Sequence, residues 1–392
     1  MPHRDKTLII SSFAHAYSHA CILSIPPLVL LLKEEFSTSL TLISLIITIS
    51  GVLFGVGAIP FGTLSDRIGS LKVQLIGILM AMASCIGLFI SWDLLSFSAF
   101  LFLLGLASST YHPSAFRLIS TSFPKNVGRA FGINGMIGNI GQIGAPIASA
   151  FIAYQWGWRP VFLMLLGFGI VLCMLFTTIH ERPIEGRSGS IRDIHISKEY
   201  LLAMLVTMTA GLAYRGTTTM LPTYSSLIYG KDTFEAGALV TLMLTTGGVS
   251  QLISGEIRDR YGTAKPLFAV SLMLFLSIMA LPFVGYYAFM VGLMVFGFAY
   301  FAVNLYTNTL VGEITESNLR GTYYGITFFT RFGLGFMAPF IVGALSDIYS
   351  IDYLFYIILS FVSVFMGLVT VLTFLIPRCH APRNADTIPD PE

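Results

Sequence analysis

Gly62-Thr63-Leu64-Ser65-Asp66-Arg67-Ile68-Gly69-Ser70-Leu71-Lys72 lies between two apolar runs, each long enough to cross a bilayer. It returns 193 residues later as Gly255-Glu256-Ile257-Arg258-Asp259-Arg260-Tyr261-Gly262-Thr263-Ala264-Lys265, identical at the Gly, Asp, Arg, Gly and Lys positions. A second pair keeps the same register: Gly128, Gly132 and Ala145-Pro146 recur as Gly321, Gly325 and Ala338-Pro339. The chain of 392 residues therefore reads as a tandem duplication. A charged Asp-Arg turn between apolar spans is stable only in water or the headgroup layer, so both copies read as loops on one side of a membrane.

The pattern G-x-x-x-D-R-x-G-x-x-K resembles the loop between helices two and three of the major facilitator superfamily, with its weaker copy between helices eight and nine. The resemblance implies an all-α membrane protein of twelve transmembrane helices in two pseudo-symmetric six-helix bundles. It also implies transport by rocking of one bundle against the other about a central site.

Composition agrees. Hydrophobic residues make up 55% of the chain and charged residues 11%, against the roughly 25% charged of a soluble domain. A spanning helix needs about 20 apolar residues, and twelve such spans with short connections use up this length. Spans are expected at about 8–32, 40–64, 72–91, 94–119, 127–155, 158–178, 199–226, 234–258, 266–284, 286–313, 321–347 and 352–376. The first bundle is then 1–178 and the second 199–377, joined by a polar linker at 179–198 and followed by a tail at 378–392.

With the Asp-Arg loops called cytoplasmic, only Lys33, Arg159 and Lys231 among the 22 Lys and Arg fall outside, and Arg215 and Arg331 fall within spans. The positive-inside rule then makes this a multi-pass protein of the cell (inner or plasma) membrane with both termini cytoplasmic. Trp92, Trp156 and Trp158 sit at outer span ends, as an aromatic belt requires. Cys21, Cys85 and Cys173 lie in apolar runs and Cys379 in the tail, without paired spacing, so neither a disulfide nor a metal framework is read from them. The polar-studded run after the first six residues reads as the first span, not a cleaved leader.

Tyr111-His112-Pro113 followed by Arg117, with His15 and Gly138-Asn139-Ile140-Gly141-Gln142-Ile143-Gly144-Ala145-Pro146, resembles the fosmidomycin-resistance-like branch of the superfamily. Where that branch carries an acidic residue in span one, this chain has His19. Gly132, Gly135, Gly138, Gly141 and Gly144 recur every three residues in span five, a surface on which a neighbouring helix can approach and slide.

A charge at the centre of a spanning helix costs about 2.5–3.5 kcal/mol on insertion scales. Arg215 in span seven and Arg331 in span eleven carry such charges, and arginine stays protonated. No Asp or Glu is expected at their depth, so the cavity is positive and selects an anion. Backbone carbonyls or a shallower carboxylate are the alternative partners. Tyr111, Tyr214, Asn304, Asn308, Asn139 and Gln142 are the further substrate-binding candidates, with helix-to-helix hydrogen bonding as the competing role. Phe328 and Phe332 flank Arg331 and could wall an apolar part of the ligand or pack the core.

His15 and His19, four residues apart on one helical face, and His112 at similar depth are the proton-coupling candidates, His19 first. Asp66, Arg67, Arg117, Asp259 and Arg260 are the gating candidates. The family resemblance places Asp66 against the start of span eleven near Gly321, with Arg67, Arg117 and Lys72 completing a charge cluster.

These readings describe a secondary active transporter of a small organic anion, coupled to protons, with efflux of amphiphilic drugs as the alternative. No His-Glu-x-x-His, Gly-x-Ser-x-Gly, phosphate loop or Cys pair supports an enzyme. No cofactor, metal or nucleic acid is expected. A small-molecule substrate, protons and the lipid bilayer are the expected partners, and the protein is expected to work as a monomer.

Overall fold

The computed structural model describes residues 3–123, 127–181, 196–315 and 320–375. The tail expected at 378–392 and most of the linker expected at 179–198 lie outside the described residues. Twelve long helices follow one another: α1 (Arg4–Glu35), α2 (Leu40–Ile68), α3 (Ser70–Ile90), α4 (Leu94–Ser122), α5 (Arg129–Trp156), α6 (Pro160–Phe176), α7 (Lys198–Tyr229), α8 (Thr233–Arg258), α9 (Ala264–Phe283), α10 (Tyr286–Ile314), α11 (Tyr323–Ile348) and α12 (Ile351–Phe374). Ten of them are long and apolar enough to cross a membrane. The two that differ from the expected twelve are α6, which has 17 residues, and α7, whose 32 residues carry Arg215 amid threonines and tyrosines.

Short polar side chains start several of these helices. Ser39, Asp93, Ser197 and Asp232 each accept a hydrogen bond from a backbone N–H of the first turn of α2, α4, α7 and α8, groups that have no partner inside the helix. The duplicated turn explains its own second glycine: Gly69 has φ 100° and Gly262 φ 74°. That left-handed region is costly for a side-chain-bearing residue.

The helices pack in pairs: α1 along α5, α8 along α10, α7 along α12, α2 along α11, and α5 along α8. The last two pairs join the duplicated halves, and there the 193-residue repeat is visible as chemistry. Thr241 Oγ1 of α8 donates to the Ile143 carbonyl of α5 at 2.9 Å. Thr48 Oγ1 of α2 donates to the Phe336 carbonyl of α11 at 2.7 Å. Thr48 and Thr241 are repeat partners, as are Ile143 and Phe336. Each accepting carbonyl lies three residues before a repeated proline, Pro146 or Pro339, whose missing N–H interrupts the helix ladder. Replacing both threonines by valine keeps shape and removes both bonds, a loss of about 2 kcal/mol at about 1 kcal/mol each. Thermal unfolding of Thr48→Val, Thr241→Val and the double variant measures it, with near-additive decrements expected.

These contacts lie toward the face opposite the Asp66 turn. There Asp347, near the end of α11, accepts from the Leu40 N–H at 3.3 Å, the Thr41 N–H at 2.7 Å and Thr41 Oγ1 at 2.6 Å. One carboxylate thus caps the start of a helix in the other half, where the helix dipole is positive. Further along, a Cβ on Gly55 would lie 2.5 Å from Gly333 Cα, so α2 and α11 touch backbone to backbone.

Candidate functional site

Arg331 and Arg215 are both buried, at 4% exposure each, but they are held differently. Residues Phe329–Gly333 of α11 form a π-helical turn, a widened geometry that recurs where a helix serves a site. It turns Arg331 toward α10. There Nη1 donates to Asn304 Oδ1, and to Asn308 Oδ1 at 3.0 Å, while Nη2 donates to Thr307 Oγ1 at 2.6 Å. The polar stripe of α10 is therefore the cradle of this guanidinium.

Arg215 has no such cradle. Its guanidinium carbon lies 4.2 Å from the ring centre of Phe336, 5.2 Å from Phe332 and 5.3 Å from Tyr214. Its Nε is buried without a hydrogen-bond partner. No carboxylate pairs with either arginine among the described residues; the ion pairs found there lie elsewhere. Aromatic faces offset part of the cost of burying such a cation, about 2 kcal/mol when desolvated, and leave the N–H donors of the guanidinium free to take an acceptor.

The other candidates fall around these two. Tyr214 stacks on Tyr300 at 4.2 Å between ring centres, and its hydroxyl accepts from Gln142 Nε2 at 3.3 Å. Asn139 Nδ2 donates to Gln251 Oε1 at 3.3 Å, bridging α5 and α8. Tyr111 is buried with its hydroxyl bonded to Asn134 Nδ2. Phe328 and Phe332 are 4.7 Å apart with their rings tilted, and connect Arg215 to the first half through His112, whose ring centre is 4.7 Å from Phe328. Phe54 closes the same wall, 5.6 Å from Phe328 and 5.8 Å from His112.

His15, His19 and His112 come together: their ligating nitrogens lie within 4.8 Å of one another. Ring centres are 4.6 Å apart for His15 and His19, 5.0 Å for His15 and His112, and 5.5 Å for His19 and His112. His15 stacks on Tyr111 at 4.8 Å, and its Nδ1 lies 3.1 Å from the Asn134 carbonyl oxygen. His19 and His112 are within electrostatic reach of Arg215.

Of the five glycines of α5, Gly138 and Gly141 meet α1 closely, while Gly132, Gly135 and Gly144 face open space. A Cβ on Gly138 would stand 2.3 Å from His15 Nδ1, so this glycine makes room for an imidazole. Gly138→Ala is expected to push the ring off the Asn134 carbonyl and to destabilise by about 1–3 kcal/mol, the usual cost of overpacking. The thermal midpoint of the purified variant checks it, with Gly132→Ala as the unaffected control.

At the charged turn Asp66 Oδ1 accepts from Arg117 Nε of its own half at 3.0 Å; the side chains around Gly321, expected to face it, lie outside the described residues. Arg117 Nη1 also reaches Glu181 Oε1 at 2.9 Å and Ser70 Oγ at 3.0 Å, and the Leu71 N–H donates to Glu181 Oε2 at 2.9 Å. Glu181 thus joins the cluster as a second carboxylate on Arg117, while Arg67 and Lys72 are exposed. In the second copy Arg260 pairs with Glu256 four residues earlier, Arg258 pairs with Glu313 at 3.1 Å, and the side chain of Asp259 lies outside the described residues. Sequence reasoning missed Glu181, Asp347, Phe336 and the two threonines; only the threonines left a signal, their common register in the repeat.

A helical membrane protein of two repeated halves, with permanent charge buried at mid-helix between them, is built as a carrier of small molecules. The chain belongs to the Major Facilitator Superfamily, whose sequence profile matches residues 8–339. It is 24% identical over 318 residues to a putative proline/betaine transporter of Staphylococcus aureus (strain MSSA476), covering 72% of this chain and 67% of that protein. It is 22% identical over 357 residues to the uncharacterized MFS-type transporter YfnC of Bacillus subtilis (strain 168), covering 87% and 86%. It is 28% identical over 255 residues to the multidrug resistance protein MdtG of Serratia proteamaculans (strain 568), covering 59% of each. Among solved structures, a bacterial homologue of the human lysosomal transporter Spinster, inward-facing and unoccupied, superposes with a TM-score of 0.77 over 96% of this chain and 97% of that one at 14% identity. The protein is a multi-pass membrane transporter and not an enzyme.

Proposed function

We propose that this protein is a secondary active transporter that moves a small organic anion across the cell membrane by alternating access, coupled to protons. All twelve helices span, in bundles 1–178 and 199–377 joined by a cytoplasmic linker at 179–198, with both termini cytoplasmic. One copy of the chain suffices. The observation that carries the anion reading is Arg215: buried, permanently charged, ringed by Tyr214, Phe332 and Phe336, and without a carboxylate partner among the described residues. A site of that sign attracts an anion and repels a lipophilic cation. Arg331, whose donors are largely used by α10, holds the second bundle in shape and adds to the potential.

His19, His15 and His112 are the groups beside the anion able to take up and release a coupling cation, a proton in the simplest case. Tyr214 and Gln142 orient the substrate, with Tyr111, Asn139, Asn304 and Asn308 behind them. Asp66 with Arg117 and Glu181 forms the cluster that the cytoplasmic gate makes and breaks, Arg67 standing beside it. Asp259 and Arg260 are its counterparts in the second half.

The Tyr111-His112-Pro113 and Gly138–Pro146 stretches support a place near the fosmidomycin-resistance-like branch. The aromatic ring around Arg215 and the likeness to MdtG favour a second reading, proton-coupled efflux of amphiphilic compounds. Proteoliposomes with imposed pH gradients, offered carboxylates, phosphonates and cationic dyes, separate the two. Anion flux that follows the gradient supports the first reading. Flux confined to cationic dyes overturns it.

A further inference from the structure

We infer that His15, His19 and His112 form a binding site for a divalent late transition-metal ion of the zinc, nickel or copper class. Two observations carry this, and neither depends on which anion the protein transports. The first is convergence: one nitrogen from each of three imidazoles, all within 4.8 Å of one another. A tetrahedral centre with metal–nitrogen bonds of about 2.0–2.1 Å sets its ligands about 3.4 Å apart, and small rotations of the three rings about χ1 and χ2 cover the difference.

The second is the direction of the lone pairs. His15 Nδ1 faces the Asn134 carbonyl, an acceptor, so it carries the proton and leaves the Nε2 lone pair unprotonated. That Nε2 is buried with no hydrogen-bond partner, and so is His112 Nε2. His19 has no hydrogen-bond partner among the described residues. A ligating histidine that donates its other N–H to a backbone carbonyl is the arrangement that fixes tautomer and ring orientation around a metal. Gly138 leaves the room that this ring orientation needs, since a Cβ there would strike Nδ1.

Three neutral imidazoles without a thiolate or carboxylate match zinc, nickel and copper rather than magnesium or calcium, which take oxygen ligands. A three-nitrogen set leaves a coordination position open. The charge that faces the site is Arg215, which lowers affinity for a cation and favours an anion as the fourth ligand.

The test uses the full chain, purified with a tag that lacks histidine, and with His3, His180, His195 and His380 replaced by glutamine to remove stray ligands. Zinc chloride, and in parallel nickel chloride, is titrated by calorimetry in nanodiscs, without any transport substrate. One ion per chain is expected, with affinity falling at least 100-fold in His19→Ala and in His112→Ala. Zinc K-edge absorption should show three imidazole nitrogens. Arg215→Gln should tighten binding about fivefold, because it removes a like charge. Thermal unfolding without metal verifies that each variant is folded.

No saturable binding in the parent, or affinity in His19→Ala and His112→Ala equal to that of the parent, overturns the site. Weaker binding in Arg215→Gln places the ion elsewhere and overturns it too. Because the readout is binding alone, loss of the anion-transport reading leaves this result intact, and loss of the metal site leaves the transport assay intact.

Discussion

Arg215→Gln is expected to lower anion uptake about 100-fold at subsaturating substrate while leaving the protein folded. Truncating one partner of a buried charged contact costs about 2–5 kcal/mol, and about 3 kcal/mol corresponds to roughly 100-fold. The folded state should not suffer. Arg215 makes aromatic contacts but no hydrogen bond among the described residues, and its Nε is already unpartnered; a neutral amide of smaller size relieves a desolvation cost. Arg331→Gln should behave in the opposite way. It strands Asn304, Thr307 and Asn308, which now accept its donors, so the thermal midpoint falls and uptake falls with it. Initial rates in proteoliposomes, paired with unfolding curves, separate the roles. Equal losses of rate without loss of stability in both variants would assign the two arginines the same job.

Asp347→Ala is expected to open the face opposite the Asp66 turn. The carboxylate accepts from two backbone N–H groups and one hydroxyl at the start of α2, bonds of the charge-assisted kind that contribute about 1.5–3 kcal/mol. Removing about 2 kcal/mol from one conformation shifts a two-state balance roughly 30-fold. Spin labels on the exposed residues Glu34 and Tyr349 report the separation of the two ends by pulsed dipolar spectroscopy. A longer-distance population should grow in Asp347→Ala and grow less in Asp347→Asn, which keeps one acceptor. Unchanged distances would mean that the Thr48 hydrogen bond and the packing at Gly55 and Gly333 hold α2 and α11 together without the carboxylate.

The repeat made much of this architecture legible before any coordinates. Apolar run length and the Asp-Arg turns locate the helices because lipid leaves backbone groups no other partner. The depth of Arg215 and Arg331 follows from counting along those runs. What stayed hidden is which arginine is already occupied. A four-residue polar stripe such as Asn304 and Asn308 faces either a ligand or another helix, and only the π-turn at 329–333 decides that it faces Arg331. Likewise, spacing puts His15 and His19 on one face but says nothing of the distance to His112, which depends on how α1 and α4 pack. Glu181 lay in the stretch read as linker, so composition gave no reason to seek it at the charged turn.

The repeat is also broken at one revealing place. Gly138 and Arg331 occupy equivalent positions in the two halves: one leaves a vacancy that an imidazole fills, the other fills its own space with a guanidinium. The scaffold is near-symmetric but its buried charge is lopsided: among the described residues the buried arginines, Arg215 and Arg331, both belong to the second half. On the function proposed above, an anion held at Arg215 would ride with the second half throughout the stroke, and the first half, bearing the nitrogens, would swing past it.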